Sequence, residues 1–184
     1  ENTVSSGGAE LWVASDLAAH QRPGVLRHDH VLGIGQASTT LVQVTARRHV
    51  ARALDLGTGC GIQTFHLLHH AEHVTATDIS GRALAFTRFN LLLNAPQLHL
   101  DPADLEARVS LRQGSLLDPV AGEEFDLVVS NPPYIASDVI ETLEPEVRDH
   151  EPRIDRFVVE RHEGDGGRLP ARLSGAKRSD QGSE

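Results

Sequence analysis

A chain of 184 residues, 39% hydrophobic and 23% charged, has the size and mix of one soluble globular domain that buries its own core. Seventeen Lys and Arg against 26 Asp and Glu give a net charge of −9, which argues against a general basic surface for long nucleic acid while leaving room for a small local one. A single cysteine, Cys60, excludes an intramolecular disulfide and fits a reducing, cytoplasmic compartment; no apolar run approaches the ~18–20 residues of a membrane span.

No basic-then-apolar signal segment opens the chain, and the lack of Met even at position 1 is expected of a fragment or a processed chain. Residues 1–8 read as a flexible start and residues 10–19 as a short strand or helix; QRPG at 21–24 reads as a turn. A helix is expected from Ser38 or Thr39, either of which could cap it, to about Arg48, with Leu41 and Val44 turned to the core. Then a regular alternation begins. Residues 51–56 read as a strand, and 62–71 as a helix with Ile62, Phe65 and Leu68 inward. Residues 74–77 read as a second strand ending at Asp78. Ser80 caps a helix burying Ala85, Phe86, Phe89, Leu92 and Leu93. A loop at 94–104 leads to strands at 109–112 and 125–130. Strands alternating with helices imply an α/β fold, a Rossmann-like doubly wound and mostly parallel sheet. Residues 156–159 could add a strand. Residues 161–184 hold no aromatic or β-branched residue, so they are expected to form no strand and to be a disordered tail.

Three motifs carry chemistry. In ALDLGTGCGIQ, a strand ends at Leu56 and a helix opens after glycines 57, 59 and 61. Gly57 and Gly59 allow positive φ and a close ligand, and the helix start offers free N–H groups. This is the nucleotide-type crevice at the carboxyl end of a parallel strand, or simply a glycine-rich turn. The GxGxG spacing disfavours a dinucleotide, which prefers GxGxxG. Asp78 stands 21 positions after Gly57, where an acid accepts hydrogen bonds from ribose hydroxyls or else caps the next helix. The third motif is Asn131-Pro132-Pro133-Tyr134, directly after FDLVVS. The prolines stiffen the backbone and remove two donors. The Asn131 side-chain oxygen and the Pro132 carbonyl can receive both hydrogens of a planar NH2, and Tyr134 can pack on its flat face. Such a clamp works by positioning; the bland alternative is a tight proline turn.

Together these motifs resemble the class I S-adenosylmethionine-dependent methyltransferases, in the subset that methylates planar nitrogens. Residues 51–153 are most similar to the HemK-type glutamine N5-methyltransferases, which modify peptide release factors. The stretch with Leu143, Glu144, Glu146, Val147 and Glu151-Pro152-Arg153 is its most family-specific part. The resemblance implies S-adenosyl-L-methionine as cofactor. Asp55, Gly57, Thr58, Gly59 and Gly61 would line its methionine part. Asp78 would hold the ribose and Ile79 the adenine, with Gly114, Ser115 and Leu116 along the adenine edge. Asn131 would touch cofactor and substrate, and Pro132, Pro133 and Tyr134 would complete the catalytic clamp. The domain would span 38–160, after an extension or remnant of a preceding domain at 1–37.

Departures from the family pattern carry expectations of their own. Ser115 stands where an acid is usual, so weaker cofactor affinity is expected. HVLGIGQASTTLV replaces a proline-rich lip. The helical substrate-docking domain is missing or cut to 37 residues, and the closing C-terminal strands are expected to be lacking, as in a truncated or frame-shifted product. One alternative is methylation of an exocyclic amine of a base in RNA or DNA. It is disfavoured because residues 131–152 hold one Arg, no Lys and many acids. Another is a non-catalytic cofactor-binding remnant. No membrane partner is expected. His66, His69, His70 and His73, at helical spacing, read as a polar helix face rather than a metal site. Cys60 reads as a packing residue, and Glu141, Glu144, Glu146 and Glu151 as a solvated face.

Overall fold

A computed structural model describes residues 3–18, 21, 27, 29–131 and the backbone of 169–170. The QRPG turn beyond Gln21, the strand expected at 156–159, the acidic face at 141–151 and most of 161–184 lie outside the described residues.

The chain opens in a hairpin instead of a flexible start. Strand β1 (Thr3–Ser6) pairs antiparallel with β2 (Ala9–Trp12), Ser6 opposite Ala9. Gly7 and Gly8 close it with φ of 57° and 83°, as a two-residue hairpin turn of matching twist requires. Only the front of the 10–19 segment is therefore strand. Val4, Leu11, Val13 and Val31 enter the main core, so residues ahead of position 38 are part of its packing.

Helix α1 (Gln36–Val44) starts two residues earlier than expected, with Gly35 at its N-cap and no side-chain cap. Thr39 lies inside the first turn, and its Oγ1 donates to the carbonyls of Gly35 and Gln36, the back-bonding a helical threonine uses in place of capping. Val42 is the buried residue, while Val44 is 72% exposed.

The body is a parallel sheet of order β5-β4-β3-β7, built from β3 (Val50–Leu56), β4 (Ala71–Asp78), β5 (Val109–Gln113) and β7 (Leu127–Ser130). In β3, residues 53–56 are all buried, and in β4 residues 74–77 are too; central parallel strands covered on both faces lose the in–out alternation. Ala53 joins the large cluster with Phe65, Val74 and Leu91, whereas Leu54 and Leu56 join a smaller one with Val120 and Phe125. The expected strand at 125–130 is broken at Asp126. Its N–H donates to the Arg52 carbonyl and its carboxylate accepts from the Arg52 N–H, which detaches β6 (Glu124–Phe125) from β7. Strand β8 (Leu169–Pro170) pairs antiparallel with β6, so the C-terminal residues do supply one short strand.

Helix α2 (Ile62–Leu67) is shorter than its pattern, because Ala71 is already in β4. His66 is therefore helical, His69 and His70 sit in the turn, and His73 is in β4; the four do not share a helix face. Helix α3 (Gly81–Leu93) is capped by Ser80, whose Oγ accepts from the Ala83 N–H at 3.2 Å. Its buried face is not the expected one. Ala83, Leu84, Thr87, Asn90 and Leu91 point inward, Phe86 is half-buried, and Ala85, Phe89, Leu92 and Leu93 are exposed. The polar residues can be buried because each finds hydrogen-bond partners there.

Candidate functional site

Parallel strands deliver their carboxyl ends to one edge, and the loops that leave them build the site there. After Leu56, residues 57–61 turn over the sheet. The N–H groups of Gly57 and Thr58 both donate to the Thr77 carbonyl at 2.9 Å, pinning the loop to β4. Gly57 and Gly59 have φ of 76° and 58°, and a Cβ at either would meet nothing within 4 Å. The space beside both glycines is open to a ligand.

Asp55 lies under this loop, 1% exposed. Its Oδ2 accepts from Thr58 Oγ1 at 2.8 Å and Thr64 Oγ1 at 2.6 Å, whereas Oδ1 is buried with no partner. Burial pushes its pKa up to about 6, against the downward pull of the two hydroxyls. A partly satisfied, desolvated carboxylate under an open glycine loop is suited to a cationic group.

Asp78 ends β4. Its Oδ2 accepts from the Gly59 N–H and its Oδ1 from the Ser80 N–H, each at 2.9 Å. It braces the glycine loop and the entry to α3, while Ser80 does the capping. Each oxygen retains acceptor capacity for a hydroxyl donor. Ile79 follows it, 62% exposed, its carbonyl held by Gln113 Nε2 at 3.1 Å. At the end of β5, the Gly114 N–H donates to the Asp78 carbonyl. Ser115 is exposed, and Leu116 is exposed with a φ of 49°. Two exposed aliphatic side chains thus follow β4 and β5 on the edge that carries the glycine loop.

Asn131 follows β7. Ser130 pairs with Leu56, so Asn131 and Gly57 leave adjacent parallel strands at the same level. Asn131 Nδ2 donates to Ser38 Oγ at 3.2 Å, and the Ser38 carbonyl accepts from Gln63 Nε2 at 2.9 Å. The start of α1 therefore flanks this corner. Pro132, Pro133 and Tyr134 lie outside the described residues.

The sequence reading missed Ser38, Thr64, Thr87 and Asn90. Thr87 Oγ1 donates to the Gly59 carbonyl and Asn90 Nδ2 to the Cys60 carbonyl, both at 2.9 Å. The apolar pattern of α3 hid Thr87 and Asn90, because their partners in the loop at 59–60 lie far away in the chain. Cys60 is buried and its thiol is pushed up to about 11, mainly by desolvation, as befits a packing residue. Among the described residues no group of three or more His, Cys, Asp or Glu could hold a metal ion, and no helix is long and apolar enough to cross a membrane.

A glycine loop, an acid after the second strand and an Asn after the fourth, on a sheet of order β5-β4-β3-β7, define a Rossmann-like methyltransferase domain. The chain belongs to the methyltransferase small domain family, whose model matches residues 16–144. It is similar to the release factor glutamine methyltransferase of Geobacter sulfurreducens, 36% identical over 137 residues covering 71% of this chain and 42% of that protein. It is also similar to the ribosomal protein uL3 glutamine methyltransferase of Xanthomonas campestris pv. campestris, 38% identical over 109 residues covering 58% of this chain and 32% of that one. The chain thus spans less than half the length of these relatives. The fold resembles that of the T. thermophilus 16S rRNA N2 G1207 methyltransferase, with a TM-score of 0.52 and 20% identity over 73% of this chain and 33% of that one.

Proposed function

We propose that this chain is a cytoplasmic S-adenosylmethionine-dependent N-methyltransferase acting on a glutamine side chain of a protein, a peptide release factor foremost. The observation that carries the reading is the register of β3 and β7. Leu56 pairs with Ser130, so the glycine loop starting at Gly57 and Asn131 emerge side by side, as a site that holds both a cofactor and a substrate amide would need. Two relatives named for glutamine methylation, one of release factor and one of ribosomal protein uL3, support a protein substrate.

The residues fit the cofactor. The unpartnered Asp55 Oδ1 lies beneath a loop whose Gly57 and Gly59 leave open space, and the methionine portion carries an ammonium that such a carboxylate attracts. Gly57, Thr58, Gly59 and Gly61 would line that portion, Asp78 would accept from the ribose hydroxyls, and Ile79, Ser115 and Leu116 would border the adenine. Bound there, S-adenosylmethionine supplies an electrophilic methyl group on a sulfonium. Asn131 accepts one hydrogen of the substrate amide through its side-chain oxygen and turns the nitrogen toward that methyl. Pro132, Pro133 and Tyr134, next in the sequence, would complete the clamp. Because an amide nitrogen is a poor nucleophile, the chain contributes chiefly orientation and proximity.

The test is incubation of the chain with isotope-labelled S-adenosylmethionine and, in separate arms, a release factor, ribosomal protein uL3 and ribosomal RNA. One added methyl on a release-factor glutamine, located by fragment mass spectrometry, is the expected result. Label on uL3 alone would reassign the substrate. Label on RNA alone, or none from a chain that still binds S-adenosylhomocysteine, would overturn the reading.

A further inference from the structure

The carboxyl edge of the sheet is not the only concave surface. At the opposite, amino-terminal end, ahead of β3 at Val50 and β4 at Ala71, a cavity of about 320 Å³ opens between the hairpin turn, the end of α1 and the end of α2. Its lining reaches Gln63 in the first turn of α2, whose Nε2 donates to the Ser38 carbonyl, but includes none of Asp55, Gly57, Gly59 and Asp78, so the cavity is distinct from the glycine-loop site. Its walls include Arg47, Gln63, His66, His69, His70 and the hairpin turn, and among the described residues no Asp or Glu lines it.

The polar groups in these walls are incompletely satisfied. Ser6 Oγ and His66 Nδ1 share a hydrogen bond of 2.7 Å. The outer ring nitrogens, His66 Nε2 and His69 Nε2, are buried with no partner. The electrostatics are one-sided. Burial holds all three imidazoles below their ordinary pKa, and positive neighbours push the same way: His69, Arg47 and His70 at His66; His70, His99 and Arg108 at His69; Arg47 at His70. The imidazoles are therefore neutral at pH 7, and Arg47 supplies the positive charge in the lining with which an oxyanion would pair.

We propose that this cavity is a second ligand site, binding a small phosphate-type oxyanion through Arg47, His70 and the hairpin turn. Arg47 is exposed, and its guanidinium can fork onto two oxygens. Ser5 offers a hydroxyl donor, and Val42 and Leu67 leave an apolar flank for a small organic body. The volume lies near the lower end of small-molecule pockets, about 300–1,000 Å³.

The test follows the histidine ring signals of the full chain by NMR at pH 7, with ionic strength held constant by sodium chloride. Inorganic phosphate and phenyl phosphate are titrated in separate arms. Saturable shifts of His66, His69 and His70, with the Gly57 and Gly59 amides unmoved, are expected. R47Q should weaken the apparent affinity about tenfold or more, the scale of one charge-assisted hydrogen bond, and H70Q should weaken it in the same direction. Tighter binding of phenyl phosphate would identify an organic phosphate monoester as the natural class, and equal binding the free ion. Shifts that rise linearly, that chloride reproduces, that appear at the glycine loop instead, or that survive unchanged in both variants would overturn the proposal.

Discussion

Asn90 on the buried face of α3 donates through Nδ2 to the carbonyl of Cys60 inside the glycine loop, at 2.9 Å. The same side chain pairs with Ala14 in both directions, accepting from its N–H and donating to its carbonyl at 2.8 Å. One turn on, Asn94 repeats the device on the N–H and carbonyl of Trp12, again at 2.8 Å. Two side-chain amides four residues apart thus hold an extended segment against a helix, using bonds that a neighbouring strand would otherwise make. Through Asn90, the N-terminal segment, α3 and the glycine loop become one hydrogen-bonded unit.

Replacing either asparagine leaves buried backbone groups without partners, at a cost of about 2–4 kcal/mol for several lost bonds. N90A and N94A are both expected to lower the urea midpoint. Only N90A touches the loop, so only N90A should also weaken binding of S-adenosylhomocysteine in calorimetric titration. Equal binding losses in the two variants would show that the loop is not held through Asn90.

This arrangement marks where the sequence was legible and where it was not. The glycine loop, Asp78 and Asn131 were readable because each follows a strand at the carboxyl edge, where backbone geometry determines the neighbours. The four parallel strands were readable from short apolar runs. The inward face of α3 was not, because hydrophobic periodicity favours Phe89, Leu92 and Leu93, whereas the fold buries Thr87, Asn90 and Leu91. Hydrogen bonds to residues 14, 59 and 60 outweigh the apolar stripe, and these partners are distant in the chain. The hairpin at 3–12 was misread for a related reason. Its glycine pair resembles a flexible terminus until strand partners on both sides are counted.

Gly57 separates ligand binding from folding. A Cβ at this position meets nothing, so G57A costs only the strain of a left-handed backbone, about 1 kcal/mol. The added methyl projects into the open space assigned to the cofactor. G57A is therefore expected to keep its fold by circular dichroism and to lose S-adenosylhomocysteine binding. Retention of binding would place the ligand elsewhere.

Asp16 ties the N-terminal segment to α3. Arg82 donates to both of its carboxylate oxygens, and the Val31 N–H donates to Oδ2 at 2.9 Å. The hydrogen bonds from Arg82 lead in lowering its pKa to about 2, against a smaller opposing desolvation. A carboxylate with a depressed folded pKa adds stability above its unfolded value and loses it as pH falls toward the folded one. D16N should cost about 1 kcal/mol at pH 7 after solvent screening, and the difference from the parent should vanish between pH 4 and pH 2 in denaturant titrations.

His66 and Asp55 act on stability in overlapping pH windows with opposite sign. Burial, reinforced by His69, Arg47 and His70, lowers the His66 pKa from 6.5 to about 4. Between those values the unfolded chain binds a proton that the folded chain refuses, so stability falls as pH drops. Burial raises the Asp55 pKa from 3.8 to about 6. In that window the folded chain binds a proton that the unfolded chain refuses, so stability rises as pH drops. Unfolding free energies measured from pH 7 to pH 4 should separate the two. H66Q should flatten the acid loss, by at most about 1.4 kcal/mol per pH unit for one proton. D55N should steepen it, and at pH 8 should raise stability by about 1–3 kcal/mol by removing a desolvated charge. The same substitution removes the carboxylate proposed to attract the cofactor's ammonium, so D55N should bind S-adenosylhomocysteine more weakly while unfolding later. A D55N protein less stable than the parent at pH 8 would mean that Asp55 is not a buried charge held at the expense of stability.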